Sequence, residues 1–417
     1  MVEQRNIVIV GASFAGLNAA HSFLKFTLPT LKAKADAKYH VYLINPSPNW
    51  YFRIASPRTA TSTKRMPLEK IIFDIKEAFK KYSMDDFTFV EASVTNLDTP
   101  ARTVSYKSTK SIQAEQLSYH ALVVATGSRT YYQAFSQSEG SQEVIDAIKT
   151  TNEKVESAKD IVIVGGGPTA IEFAAEVGEH RNGKPGWFSD VQPKVNITLI
   201  TADDRLLTSL QPAISKTAAQ KLNSLGVDVV YNSRVVDATK DETGRTIITL
   251  AKGDKFEADL YVPAYGVLPN SSWLPSELLD EKKYINTDFK MRVEGAGPRV
   301  YAFGDVASYS RNNGWDILFA LPTLAVNMKR DLLSFNPNEP EAKPKGKDRV
   351  YTIDTREGML VPMGTIGGVG VAFGYRFPNF VVWFIKGRDY LVSMSGKPQV
   401  TGESVKETVW TKEEAAI

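Results

Sequence analysis

The sequence predicts an α/β protein built on two doubly wound parallel sheets, followed by a strand-rich α+β tail, and three observations carry that prediction. Two stretches, residues 6–20 and 160–177, open alike, with a β-branched apolar strand, a tight glycine turn and a helix of small residues. Each runs on to a further apolar strand that ends in a polar residue, Asn45 in one and Thr201 in the other, giving two βαβ units. At 417 residues the chain also exceeds what one hydrophobic core commonly serves.

The first unit leaves its strand through Gly11, Ala12, Ser13, Phe14, Ala15 and Gly16. Gly11 permits the sharp strand-to-helix turn and Gly16 lets the helix lie close on the strand. The helix N-terminus then offers N–H groups and a positive dipole end to a pyrophosphate. Ser13 replaces the middle glycine of the G-x-G-x-x-G pattern, and Asn45 stands where a ribose-gripping carboxylate is usual; its amide still donates and accepts hydrogen bonds. Residues 61–85 read as a helical connection, with Ile71, Ile72, Ile75 and Phe79 at helical spacing, and strands at 87–98 and 101–106 flank the Pro100 turn. The next strand ends in the small, hydroxyl-bearing turn Ala125, Thr126, Gly127 and Ser128.

In the second unit Gly165, Gly166, Gly167, Pro168, Thr169 and Ala170 fit G-x-G-x-x-G/A fully, after a strand and before a helix, so a dinucleotide is expected there. No carboxylate ends the following strand at Thr201, so a 2′-phosphate is not repelled. Arg205 just beyond is either its partner or a solvated side chain. A helix at 211–225 and a strand at 227–231 follow, and a later strand, 300–303, ends in Gly304 and Asp305. Residues 336–349, rich in Pro, Lys and Glu, read as a linker. Beyond them, strands are expected at 360–363, 368–374, 379–385 and 389–394.

Composition narrows the function. There is no cysteine, which excludes disulfides, thiolate metal sites and a catalytic dithiol, so electrons handled by this chain must travel on a cofactor. His21, His40, His120 and His180 are scattered without ligand spacing and read as structural, so no metal is expected. A net charge of +3 with no basic block argues against a nucleic-acid partner. No apolar run approaches the ~20 residues of a membrane span, the first strand begins almost at once, and residue 2 is Val where a myristoylated chain has Gly. A cytoplasmic protein is expected, with peripheral membrane contact and a homodimer both left open.

The four segments, in this order, resemble the two-dinucleotide-binding flavoprotein superfamily, in which the A-T-G strand links the two Rossmann-like domains and the Gly-Asp aspartate bonds the ribityl chain of FAD. Within it the chain resembles the ferroptosis suppressor protein family, also described as mitochondrion-associated homologues of apoptosis-inducing factor, with type II NADH dehydrogenases more distant. The resemblance rests on the first glycine turn, residues 165–176, Arg292-Val293-Glu294-Gly295, and Lys386-Gly387-Arg388-Asp389-Tyr390 in the tail. It implies an FAD-dependent NAD(P)H:quinone oxidoreductase that takes NADH or NADPH as co-substrate. By position it also implies FAD contacts at Arg58 and Val94, beside Gly11 to Ala15 and Asp305. The expected domains are an FAD domain from 1–135 and 262–335, a nucleotide domain at 136–261, and a C-terminal domain at 350–417. The chain departs from the family in lacking the N-terminal glycine that carries its lipid anchor and in inserting residues 181–194, where Trp187 and Phe188 read as a lid or a membrane contact.

Two residues are expected to act on the chemistry. Glu172 reads as a first-turn residue of the nucleotide helix that either gains from the dipole or, as the matching family glutamate does, faces the nicotinamide. Lys386 places a cation near the flavin's pyrimidine end or is simply solvated. The tail aromatics Phe373, Tyr375, Phe380, Trp383, Phe384 and Tyr390 are expected to offer an apolar surface to the acceptor or to form the tail's own core.

Overall fold

The computed structural model describes residues 3–108, 111, 113–136, 140–186 and 189–416. Trp187 and Phe188 lie outside the described residues. β1 (Gln4–Val10) is an inner, largely buried strand of a seven-stranded sheet, and the helix α1 (Phe14–Ser22) follows its glycine turn. β2 (Lys38–Asn45) lies parallel on one side of β1, and β3 (Phe87–Asp98) lies parallel beyond it. β4 (Ala121–Val124) lies parallel on the other side. The order of connection therefore reverses between β1 and β4, and the carboxyl ends at such a reversal are where open parallel sheets bind their ligands. Thr103–Ser108 and Ala114–Ser118 extend the sheet antiparallel at its far edge.

The second sheet repeats the plan. β5 (Asp160–Val164) is followed by α3 (Pro168–Arg181), while α2 (Ser56–Thr61), from the first unit, packs against α3. β6 (Asn196–Ile200) and then β7 (Val227–Val230) lie on one side of β5, and β8 (Leu260–Pro263) on the other. A three-stranded antiparallel sheet, residues 235–258, closes a small separate core of Val162, Val164, Ile200, Ile248, Leu250 and Ala258. The chain then returns as β9 (Val300–Ala302) beside β4, and the two units are joined by a ribbon in which Ser128–Arg129 pairs with Leu268–Pro269.

Two expectations fail. Residues 61–85 are not one helix: past Pro67 the chain makes a short 3-10 turn. Ile72–Asp74 then pairs with Asn49–Tyr51 as a small ribbon, and Asp74 caps a single helical stretch, Ile75–Phe79. Ile71, Ile75 and Phe79 are still buried, so the apolar spacing reported burial correctly and conformation wrongly. In the tail, β10 (Met359–Pro362) and β11 (Gly368–Ala372) are strands as expected. Asn379–Val382 is helical and runs into the π turn Trp383–Gly387, and 389–394 contains no strand.

The linker carries neither helix nor strand but is fastened. Asp348 accepts from Arg292 and Arg330, each at 2.8 Å, and the Pro340 carbonyl accepts from Arg299 at 3.0 Å. The tail returns to the first unit, where Val400 O lies 2.8 Å from His21 Nε2 and Lys25 donates to the carbonyls of Gly402 and Val405. The helix α4 (Gly314–Leu333) packs on α1.

Candidate functional site

The first turn is shaped by what its glycines leave out. Gly11 sits at φ +99°, where a Cβ would stand 2.4 Å from the Ala125 carbonyl oxygen, and a Cβ on Gly16 would stand 1.7 Å from that of Gly11. Gly304, at φ +84°, would press a Cβ to 2.6 Å from that of Ala15. The turns at 11–16, 125–127 and 304–305 therefore meet at one crevice, with β1, β4 and β9 ending in register at Val10, Val124 and Ala302. Ser13 caps α1 in an extended conformation without a side-chain bond, which leaves the helix's first N–H groups directed out of the turn. Phe14 packs edge-on against Trp50, at 4.9 Å between centroids.

Asn45 behaves differently from the expected ribose residue. Its Oδ1 accepts from the Ala12 N–H at 2.9 Å and its Nδ2 donates to Ser47 O at 2.8 Å, so the amide holds the turn itself. Thr126, expected in this turn, and Asn270, which the sequence did not single out, lock the A-T-G turn reciprocally: Thr126 Oγ1 donates to Asn270 O, and Asn270 Nδ2 donates to Thr126 O. Asp305 accepts from Ser128 Oγ at 3.2 Å through Oδ2, while Oδ1 is closed off from solvent and meets no donor among the described residues. Burial pushes its pKa up, against the pull of Arg53, a residue sequence reasoning missed, which also donates to Ser128 O at 3.0 Å.

The second turn is as tight. A Cβ on Gly165, at φ +141°, would lie 2.5 Å from the Ala264 carbonyl oxygen and 3.3 Å from the Ala170 Cβ, whereas one on Gly167 would meet nothing within 4 Å. Arg205 is committed inside its own loop: Nη1 donates to Leu210 O at 2.6 Å and Ser215 Oγ at 3.2 Å, and Nη2 to Thr208 O at 2.6 Å. The guanidinium, read either as the partner of a 2′-phosphate or as solvated, here braces its loop.

Glu172 lies in the second turn of α3, not the first, since the helix begins at Pro168, so the dipole benefit expected of it is absent. It is buried at 3% exposure and pairs with Lys386 Nζ at 2.5 Å, and the same ammonium donates to Leu360 O at 3.1 Å. The two residues expected to act on the chemistry thus meet across the boundary between nucleotide helix and tail. Desolvation raises the Glu172 pKa to about 7, with Lys386 opposing it.

Glu172 is the first of three buried carboxylates on one face of α3. Glu176 accepts from Arg58 Nη2 at 2.8 Å and from Tyr390 OH at 3.1 Å. Glu179 accepts from Arg65 at 2.8 Å and from the Thr365 backbone N–H at 2.6 Å. Arg58 also donates to the carbonyls of Gly387 and Arg388, so each of its guanidinium nitrogens is engaged by the protein where a flavin contact was expected. Val94 lies half-buried at a bulge in β3, opposite Tyr106 and beyond the last pairing with β2 at Glu91.

Among the tail aromatics Tyr390 is fully buried, while Phe373, Tyr375, Phe380 and Phe384 are exposed. Burial pushes the His21 imidazole down to about 3, and it stacks on Phe79 at 4.1 Å, so it serves packing. Among the described residues no group of three or more His, Asp or Glu side chains is placed to hold a metal, and no helix is long and apolar enough to cross a membrane.

The pattern of the pyridine nucleotide-disulphide oxidoreductase family matches residues 5–329. The chain is 40% identical over 397 residues to Oxidoreductase phnG of Penicillium herquei, covering 93% of this chain and 94% of that protein. It is 25% identical over 407 residues to Ferroptosis suppressor protein 1 of Xenopus laevis, covering 95% and 96%. The solved structure of NDH2 from Plasmodium falciparum in complex with NADH shares the fold, with a TM-score of 0.66 at 15% identity, covering 95% of this chain and 96% of that one. The likeness to the ferroptosis suppressor family is therefore a distant one, weaker than the likeness to phnG.

Proposed function

This chain belongs to the pyridine nucleotide-disulphide oxidoreductase family, and on that premise we propose that it is an FAD-dependent NAD(P)H oxidoreductase whose electrons pass to a quinone-type small molecule. The observation that carries the flavin reading is Asp305 Oδ1, a carboxylate oxygen without a donor at the crevice where the glycine turns meet. A hydroxyl of a ribityl chain satisfies such an oxygen, and leaving it unmet costs about 1–3 kcal/mol. FAD held there would supply the two-electron chemistry that links a nicotinamide donor to the acceptor.

The protein's part is to hold and orient. The N–H groups at the start of α1 receive one pyrophosphate, and those at the start of α3 receive the other. Thr201, the residue after β6, brings no carboxylate, so NADH and NADPH are both admitted. The Glu172–Lys386 pair keeps a hydrogen-bonded contact between the nucleotide helix and the tail. With no cysteine in the chain, no protein dithiol relays electrons, so the acceptor has to approach the flavin directly.

Resemblance to the ferroptosis suppressor family favours a quinone as that acceptor. The 40% identity to Oxidoreductase phnG favours a second reading, a dedicated small-molecule substrate of one pathway. Steady-state NADPH oxidation by purified holoprotein against a panel of quinones, ferredoxin and cytochrome c separates the two. Quinones are expected to raise the rate well above the oxygen background. A yellow protein that none of the quinones reoxidises would sink the quinone reading, and a colourless protein that takes up no FAD would sink the flavin reading.

A further inference from the structure

We propose that Tyr131 and Tyr265 form a stacking platform for the nicotinamide ring of the bound dinucleotide, an inference that deepens the function proposed above and rests on it. β5 and β8 end in register, at Val164 and Pro263, and the chain order of the second sheet reverses between them. Ligands of open parallel sheets sit in the crevice at such a reversal. Ala264 donates to Val164 O at 2.8 Å, and its carbonyl is the group that excludes a side chain at Gly165. Tyr265 therefore follows directly on the contact that shapes the nucleotide turn.

Tyr131 arrives from the other unit. It lies two residues past Arg129, which pairs with Leu268 in the ribbon joining the two units. Gly266, at φ +61°, turns the chain so that a Cβ there would touch the Tyr131 ring at 3.6 Å. The two rings stand 5.3 Å apart between centroids, tilted by 36°. The Tyr265 ring is thus held against Tyr131 at the end of the ribbon.

Yet the pair stays in water, with Tyr131 51% and Tyr265 40% exposed. Two rings held in mutual contact at a ligand crevice, with apolar area uncovered, suit a flat partner. A dinucleotide with its pyrophosphate at the start of α3 has to extend its reactive ring toward the first unit, where the Asp305 crevice lies. The ribbon spans that interval, and the tyrosines stand at its second-unit end. They thus meet the nicotinamide half of the ligand and not the adenosine half.

The test compares NAD+ with ADP-ribose, which lacks only the nicotinamide, by calorimetric titration of holoprotein carrying Tyr265→Ala, Tyr265→Phe or Tyr131→Ala. The alanine variants are expected to weaken NAD+ about three- to tenfold, the worth of an aromatic stack, with ADP-ribose unchanged and Tyr265→Phe close to wild type. Equal effects on both ligands, or none on either, overturn the platform. Should Tyr265→Ala lose its FAD, Tyr265→Leu and Tyr131→Ala decide the matter by the same comparison. Wild-type protein that binds neither ligand overturns the nucleotide reading and the platform with it, whereas binding of ADP-ribose alone leaves the nucleotide unit standing and removes only the platform.

Discussion

Burial holds the Glu172 carboxyl at about pH 7, against an ordinary 4.5, although Lys386 and Arg58 both pull it down. A carboxyl whose folded pKa is raised binds its proton more tightly in the native state. Its contribution to stability is complete below pH 4.5 and is lost as the pH rises through 7. Between those limits the loss runs at up to about 1.4 kcal/mol per pH unit. Glu172→Gln carries no such slope, so thermal melts from pH 5 to pH 8 are expected to show the variant gaining on the wild type as the pH rises. Parallel curves would place the carboxyl's pKa near its ordinary value. The importance of Glu172 and Lys386 was legible only through resemblance, since no local period connects two residues 214 apart in sequence. Glu176 and Glu179 went unread although their signal was present. Three glutamates at spacings of four and three mark one helical face in a segment whose other positions are mostly small or apolar.

At the scale of the turn, the two glycine motifs divide protein structure from ligand binding. A methyl at Gly16 meets the Gly11 carbonyl oxygen, so Gly16→Ala is expected to cost at least about 3 kcal/mol and to be isolated with depleted FAD. A methyl at Gly167 meets no protein atom within 4 Å and the backbone there is extended, so Gly167→Ala is expected to cost below about 1 kcal/mol as a cap. Its larger effect falls on the KM for NAD(P)H, because the surface it crowds is the one facing the pyrophosphate. A Gly167→Ala protein with an unchanged KM would mean that the nucleotide does not lie on this turn. The Rossmann strands were readable because β-branched runs of five or so residues, bounded by glycine turns, have few other uses. The tail helix was not: Asn379 to Ile385 is a continuous apolar run, which periodicity alone assigns to neither state. Pro378 in extended conformation before Asn379 starts the helix, and packing decides the rest. Val382 turns inward against Gly368 and Gly370, while Phe380 and Phe384 share the exposed face at helical spacing.

Across the whole molecule, α3 is the common wall of three parts. Glu172 holds the tail through Lys386, and Glu179 holds it through Thr365. Glu176 holds the first unit through Arg58 and the tail through Tyr390. Removing one member of a buried pair leaves the other uncompensated, at about 3–5 kcal/mol. Glu176→Ala is therefore expected to lower the stability by that amount and to speed proteolytic cleavage within residues 336–349, while Arg388→Ala changes neither, because Arg388 contributes its carbonyl and not its side chain to Arg58. Equal cleavage rates in Glu176→Ala and wild type would show that the linker is held by its own contacts, Asp348 with Arg292 and Arg330 and Pro340 with Arg299, whatever happens at α3. The return of β9 to the first sheet also sets an order of assembly. The second unit, residues 160–263, is contiguous and can close as soon as it leaves the ribosome, whereas the sheet begun by β1 waits for residues 300–305 and then for the tail that covers α1. The older half of the nascent chain is the last to be finished, and until residues 300–302 arrive β4 is an open edge of the first sheet, with its backbone groups unpaired on that side.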